Sequence, residues 1–248
     1  MSRDLVFEIG AEEIPSAALY DAIAQLKRDA ETALKTARLG YSELHTYGSP
    51  RRIVLVVEGL AEAQDDLSQS VKGPPVAAAF DASGNPTPAA VGFARGKGVD
   101  VSALESRTDA DGAYVYAVIE RAGEPALAVL PELLASLLTG LAWPKVQRWG
   151  SGSARFIRPV RSLLALLGAE VVPVEFAEVS AGRTLHGHRF LGEGAVEVPS
   201  ADQYAEAARR GCVVYDHGER ARLVREGIAA TTEQRGVTAV VPDKTLAE

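Results

Sequence analysis

Residues 4–40, "DLVFEIGAEEIPSAALYDAIAQLKRDAETALKTARLG", predict a strand followed directly by a helix. The β-branched and aromatic residues of 4–10 end at a glycine, which is typical of a strand. The remainder carries apolar residues at spacings of three and four, the stripe of an amphipathic helix: Leu19, Ile23, Leu26, Ala30, Leu34 and Ala37. Pro15 suits the first turn of this helix and Gly40 its end.

Three further segments have strand character. The apolar run 51–60 predicts a buried strand, and 112–121, with alternating tyrosine and valine, predicts a strand covered on both faces. Residues 161–176 fit either two strands about a Gly168-Ala169 turn or a short helix and a strand. We favour the hairpin.

Helices are predicted at 125–143, which is leucine-rich, and in two segments after residue 195. Ser200 and Gln203 have the spacing of a capping box, and Asp216 and Glu219 have a related one. The second of these helices has a predicted apolar stripe of Leu223, Val224, Ile228 and Thr231. The proline- and glycine-rich segment 72–98 is expected to be irregular, with one short helix at 88–95.

This order predicts an α+β fold with mixed or antiparallel sheets and packed helices, followed by a mainly helical C-terminal segment. We expect an α+β region at 1–195, with a break between subdomains within 72–98, and a helical segment at 196–248. No GxGxxG or GxxxxGK[ST] motif indicates a nucleotide-binding fold. The ending "VVPDKTLAE" carries no helix stop signal, so we expect a fragment of a longer protein, although a free C-terminus would give the same pattern.

Composition favours a cytoplasmic protein. Apolar residues make up 47% and charged residues 24% of the 248 residues, as is ordinary for a globular protein. The single cysteine, Cys212, excludes an internal disulfide and fits a reducing compartment. No apolar run reaches the roughly 18 residues of a membrane span, and the N-terminus does not resemble a signal peptide.

The positive charge is concentrated in one segment. The net charge of the chain is −7, yet no acid lies between Glu132 and Glu170. Five cations fall there: Lys145, Arg148, Arg155, Arg158 and Arg161. They indicate a basic face on an acidic body, although chance clustering on a solvated face would give the same pattern.

The basic segment 143–161, "WPKVQRWGSGSARFIRPVR", interleaves these cations with Trp143, Trp149 and Phe156. Arginine matches phosphate oxygens bidentately, and aromatic rings can stack on unpaired bases. The alternative places the tryptophans in the core and pairs the arginines with acids elsewhere. We expect core tryptophans, and arginines that contact RNA phosphate or a partner subunit.

His186 and His188 lie in "RTLHGHRF" (183–190). A metal site would need further ligands. His217, Cys212 and Asp216 are candidates, but their spacing matches no ligand pattern, so we expect no metal. A hydrogen-bonding role and contact with an anion through His188 and Arg189 both stay open.

Two other pairs have ordinary interpretations. Glu12 and Glu13 could form an acid–base site, but carboxylates before a helix also stabilise its N-terminus, which we favour. Cys212 and His217 could form a nucleophile pair. The apolar neighbours of Cys212 instead predict a buried thiol. We expect no catalytic residues.

The chain resembles the N-terminal part of the beta subunit of bacterial two-subunit glycyl-tRNA synthetases. The resemblance spans about 3–190 and rests on seven stretches in the family's order: "FEIGAEEIP" (7–15), "GSPRR" (48–52), "KGPP" (72–75), "GFARGKGV" (92–99), "KVQRWG" (145–150), "FIRPVRSLLALLG" (156–168) and "HGHRF" (186–190). Ser49, Val146-Gln147 and His186 depart mildly from the family's pattern, which has threonine, Ser-Met and arginine there.

The resemblance implies a subunit without catalytic residues that recognises tRNA(Gly), with an alpha subunit as partner. That alpha subunit holds the site for glycine, ATP and Mg, so no cofactor is expected in this chain and the chain alone should be inactive. The residues predicted to contact RNA are Lys145, Arg148, Arg155, Arg158, Arg161, His188 and Arg189. The alternative is a structural interface module that docks on the alpha subunit without contacting RNA.

Overall fold

A computed structural model describes residues 2–192, 194–242 and 245. The strands are β1 (Ser2–Ala11), β2 (Glu43–Ser49), β3 (Arg52–Ala61), β4 (Leu67–Pro75), β5 (Glu105–Asp109), β6 (Gly112–Arg121), β7 (Val160–Leu167), β8 (Glu170–Val171), β9 (Glu175–Phe176), β10 (Val179–Gly182), β11 (Thr184–His186) and β12 (Ala195–Glu197). The α-helices are α1 (Ser16–Thr36), α2 (Val76–Ala79), α3 (Pro88–Lys97), α4 (Ala126–Gly140), α5 (Tyr204–Arg210) and α6 (His217–Arg235). The predicted α+β class is confirmed.

The chain forms two compact units, one of which is inserted into the other. The first unit comprises 1–63 and 125–248, and the second comprises 64–124. Ala63 and Pro125 form a β-bridge, so the chain leaves the first unit and returns to it at one point. This division differs from the predicted break within 72–98 and from the predicted boundary at 195. Residues after 195 pack on the sheet of the first unit, a contact that local composition does not encode.

The first unit is built on a seven-stranded sheet with the order β2-β3-β1-β7-β10-β9, and β8 pairs with the end of β7. β1 lies between β3 and β7 and is antiparallel to both. Its alternating side chains separate two cores. Leu5, Phe7 and Ile9 pack with α1 and α4, whereas Val6 packs with β12 and with Tyr204 of α5 on the opposite face.

Most of the predicted elements of the first unit are confirmed. β1, β3 and α4 match their segments, and α1 buries the predicted stripe up to Leu34. Its first residue is Ser16, so Pro15 immediately precedes the helix. The hairpin is also confirmed, because β7 and β8 pair around Gly168, whose φ of +55° favours glycine. Within the described residues, no helix is long and apolar enough to cross a membrane.

The second unit corrects two predictions. The segment 72–98 is mostly regular, because β4 extends to Pro75 and is followed by α2 and then by α3, the predicted short helix. β6 is fully buried only on the face that carries Val115 and Ala117. Its tyrosines are half-exposed, and the Lys72 amine lies 3.6 Å from the ring centre of Tyr114.

The two helices after residue 195 begin differently from each other. The predicted capping box is absent, since Ser200 makes no side-chain cap and α5 begins at Tyr204. Asp216 does cap α6, accepting hydrogen bonds from the Gly218 and Glu219 amides at 2.8 and 3.2 Å. No residue within α6 is buried, so its predicted apolar stripe does not face the core.

A buried ion pair ties the central strands to α5. Arg52 Nη1 donates to Glu8 Oε2 at 2.9 Å, and the Tyr204 hydroxyl donates to the same oxygen. Arg52 Nη2 donates to the His186 carbonyl at 2.7 Å. Burial and the Glu8 carboxylate raise the pKa of Tyr204 well above its usual value. Burial alone would lower the pKa of Arg52, but Glu8 and Tyr204 raise it above its usual value, so Arg52 keeps its positive charge.

Replacing the cation should destabilise the first unit strongly. Arg52→Met leaves the Glu8 carboxylate buried without its counter-charge, and we expect a loss of about 3–5 kcal/mol in the free energy of unfolding. The matched control is Arg209→Met, which removes an exposed ion pair with Glu206 and should cost under about 1 kcal/mol. Urea unfolding followed by tryptophan fluorescence reports this unit, because both tryptophans lie in it. Equal losses in the two variants would contradict the prediction.

Tyr204→Phe should show a characteristic pH dependence. Because the native pKa is raised, the tyrosine contributes stability below its unfolded pKa of 10.0 and loses it as the pH rises further. We expect the variant to be less stable by about 1.5–3 kcal/mol at neutral pH, with the difference shrinking at about pH 11 as unfolded tyrosine ionises. Unfolding free energies at both pH values test this, and a constant difference would contradict it.

Candidate nucleic-acid interface

Three arginines converge on the carboxylate of Glu12. The shortest distances from its oxygens are 3.1 Å to Arg189 Nη2, 3.3 Å to Arg161 Nε and 3.7 Å to Arg51 Nη2. The structure therefore brings together two predicted RNA-contacting residues, Arg161 and Arg189, and adds Arg51, which the sequence analysis missed. We call Glu12 and these three arginines the arginine cluster.

The sheet register explains this convergence. In the antiparallel pairing, Gly10 of β1 lies opposite Arg52 of β3, and Ala11 lies opposite Val160 of β7. The end of β1 therefore meets the beginnings of both neighbours, where Arg51 and Arg161 stand. The "PRR" triplet at 50–52 was the available signal, but only the strand register connects it to Arg161.

Glu13 forms an ion pair with Arg51. Arg51 Nε donates to Glu13 Oε1 at 2.8 Å, and Nη2 donates to the same atom. The Arg51 guanidinium lowers the pKa of Glu13 below its usual value. Glu12 and Glu13 thus serve as counter-ions for arginines, a role that the helix-terminus interpretation did not include.

Two cavities adjoin the arginine cluster. A cationic cavity of about 620 Å³ includes Glu8, Arg52 and Ser162 in its lining, together with the cluster itself. An apolar cavity of about 670 Å³ lies beside it. Its apolar lining consists of Phe190, Val213, Val214, Leu223 and Val224. The two cavities share Arg51, Arg52, Gly187 and Arg189.

The other predicted cations lie on a loop before β7. Gln147 and Phe156 bridge each other through hydrogen bonds of 2.9 and 3.2 Å, so Arg148 and Arg155 flank the base of a hairpin-like loop. Lys145, Arg148 and Arg155 are exposed, whereas Arg158 is half-buried and donates to the Ile157 carbonyl. None of the four forms an ion pair with another residue in the described part of the chain. We call them the loop cations.

The tryptophans of this loop belong to the core, as expected. Trp143 and Trp149 are partly buried against the core of the first unit. The ring centroids of Trp143 and Phe156 lie 4.8 Å apart, and those of Trp149 and Phe176 lie 6.4 Å apart. Their rings therefore stabilise the base of the loop and are not free to stack on a base.

The histidines make hydrogen bonds within the protein. His188 Nδ1 accepts from the Phe190 and Leu191 amides, both at 3.2 Å, which orders the turn that carries Arg189. The His186 carbonyl accepts from Arg52. Among residues 2–192, 194–242 and 245, no group of three His, Cys, Asp or Glu side chains is placed to hold a metal ion.

The prediction of a buried thiol at Cys212 is wrong. Cys212 is exposed and lines the apolar cavity. It follows α5 in a left-handed conformation with φ of +55°, and its Sγ donates to the Leu191 carbonyl at 3.2 Å. The apolar neighbours indicated burial, but this reversal of the backbone turns the side chain outward.

Comparison with known proteins identifies the family. Residues 5–248 match the family described as "Glycyl-tRNA synthetase beta subunit". This chain belongs to that family. The glycine–tRNA ligase beta subunit of Moorella thermoacetica is 46% identical over 236 residues, which cover 95% of this chain and 34% of the relative. That of Myxococcus xanthus is 39% identical over 248 residues, covering 100% and 35%. The chain thus spans about a third of the length of these relatives.

The exposure of Cys212 gives a direct test of the geometry in this beta-subunit chain. We expect a thiol reagent to label the native protein at a rate within about tenfold of that in urea, because reactivity follows exposure. Cys212 is the single cysteine, so the signal is unambiguous. A buried thiol would instead be protected by the unfolding equilibrium, roughly a thousandfold or more; such protection would contradict the structure.

Proposed function

We propose that this chain supplies tRNA contacts within a glycine–tRNA ligase beta subunit, supporting the attachment of glycine to tRNA(Gly) by an alpha subunit. The observation that carries the proposal is the set of loop cations, three exposed and one half-buried, which have no acidic partner in the described chain. The family membership supports the link to a ligase. On this proposal the protein acts in the cytoplasm.

The loop cations keep positive charge available for a ligand, whereas several other arginines are neutralised. Seven arginines elsewhere in the described part of the first unit pair with carboxylates, as Arg222 does with Glu219 and Glu226. A cation without such a partner gains most from meeting a phosphate, since it releases a counterion from the nucleic acid. The net charge of −7 meanwhile opposes binding elsewhere on the surface.

Loop geometry also suits a phosphate backbone. Gly150 adopts φ of +59°, and the following Ser-Gly-Ser stretch is exposed, so backbone amides can approach a ligand closely. The partly buried tryptophans anchor the loop on the core. These contacts would position RNA without reading its sequence.

On this proposal the chain is inactive by itself. The reason is that, on the same proposal, glycine, ATP and Mg bind to the alpha subunit and not to this chain.

A second candidate function is an interface module that docks on the alpha subunit without touching RNA. It is favoured by exposed apolar side chains, notably Phe190 and Leu191, which are 89% and 73% exposed.

The two candidates predict different behaviour of a loop variant. Arg148→Ala combined with Arg155→Ala should weaken tRNA binding by the assembled ligase. Each lost phosphate contact should reduce the log–log salt slope by about 0.7–0.9. Glycine-dependent pyrophosphate exchange should stay nearly unchanged, because the proposal places it in the other subunit. The measurement is tRNA titration at several salt concentrations, with sizing of the complex.

The matched control removes the same charge elsewhere. Arg209→Ala combined with Arg222→Ala eliminates two exposed arginines that already have acidic partners, so the slope should not change. Separation of the subunits by the loop variant would favour the interface module. An intact complex with an unaltered slope would refute the proposed role of the loop cations.

A further inference from the structure

We propose that the two adjoining cavities form a binding site for one unstacked nucleotide of single-stranded RNA. Its phosphate would displace Glu12 from the arginine cluster, and its base would enter the apolar cavity against Phe190. This inference rests on the proposed function, since it assigns a particular part of an RNA to a site separate from the loop cations.

The arginine cluster has the composition of a phosphate site. Three guanidinium groups approach one carboxylate within 3.1–3.7 Å. A phosphate offers oxygens of the same charge in a geometry that arginine matches bidentately. Glu12 therefore occupies the position that a phosphate would take.

Glu12 can be displaced because the cluster is accessible. The side chains of Arg161 and Arg189 are 67% and 58% exposed, and that of Glu12 is 28% exposed. Exposed ion pairs contribute little stability, because solvent screens the charges. Exchanging one anion for another there costs far less than breaking the buried pair of Glu8 and Arg52.

The apolar cavity offers a surface for a base. Phe190 is 89% exposed, and the walls are completed by valine and leucine side chains. Aromatic rings that face solvent bind unstacked bases through their π-faces, without selecting a sequence. Arg189 and Arg51 line this cavity as well as the cationic one, so a phosphate and its own base would meet adjacent surfaces.

The loop that presents Arg189 and Phe190 is held in place before any ligand binds. The His188 amide donates to the Gly211 carbonyl at 2.7 Å. A Cβ at Gly187 or Gly192 would lie only 2.8 or 2.3 Å from that carbonyl oxygen, so both positions require glycine. Such preorganisation reduces the entropy lost on binding.

Charge and shape together favour single-stranded RNA over other occupants. A cavity that contains the arginine cluster adjoins a cavity with a mainly apolar lining, and together they complement a base attached to a phosphate. A base within a duplex is already stacked and paired, so it cannot enter a cavity. A duplex would therefore reach the loop cations but not this site.

The test uses the assembled ligase and a labelled single-stranded oligoadenylate as the probe. Arg189→Ala and Phe190→Leu should each weaken binding of the probe about tenfold. Phe190→Trp should preserve it, because an aromatic face is kept. Glu12→Gln should tighten binding, since it removes the competing charge. The control Arg209→Ala removes one exposed cation outside both cavities and should leave the affinity unchanged.

Several outcomes would overturn the inference. These are an unchanged probe affinity in Arg189→Ala and Phe190→Leu, equal competition by duplex RNA, or weaker binding in Glu12→Gln. Dissociation of the complex by Phe190→Leu would assign the apolar cavity to a protein partner. Only the inference fails if binding of full-length tRNA still depends on Arg148 and Arg155 while the cavity variants bind the probe with unchanged affinity. If tRNA binding depends on neither set, the proposed function fails too.

Discussion

The buried pair of Glu8 and Arg52 is the constraint on which the first unit depends. A carboxylate in the middle of a central strand has to be matched by a cation, and Arg52 on the neighbouring strand supplies it. Tyr204 then fixes α5 over this pair, and the His186 carbonyl fixes the end of β11. One network therefore sets both the helical cover of the sheet and the starting point of the segment that carries Arg189.

The same strand connects this network to the surface. Glu8 and Gly10 of β1 line the cationic cavity, while Phe7 and Ile9 face the opposite core, as the period of two in a strand requires. Glu12 follows the last residue of β1 and lines the same cavity, so the cavity extends from the buried ion pair to a solvent-accessible one. The inner pair provides stability, and the outer cluster can exchange its anion.

The helices and strands were predictable because they follow from the spacing of apolar residues along the sequence and from the residues that favour turns. The stripe of α1, the apolar run of β3 and the glycine turn after β7 each follow from neighbouring residues. The arginine cluster did not follow, because Arg51, Arg161 and Arg189 meet only through strand register. The exposure of Cys212 and of α6 likewise depends on backbone reversal and on packing, which composition does not report.

The insertion of the second unit has a consequence for variation in length. Its first and last residues, Gln64 and Glu124, are joined by a backbone hydrogen bond of 2.9 Å, just beyond the bridge between Ala63 and Pro125. The entropic cost of closing such an excursion grows only with the logarithm of its length, about 0.6 kcal/mol for each doubling. Residues between Gln64 and Glu124 can therefore be gained or lost with little loss of stability in the sheet of the first unit. A different domain could replace the second unit at the same place in the chain.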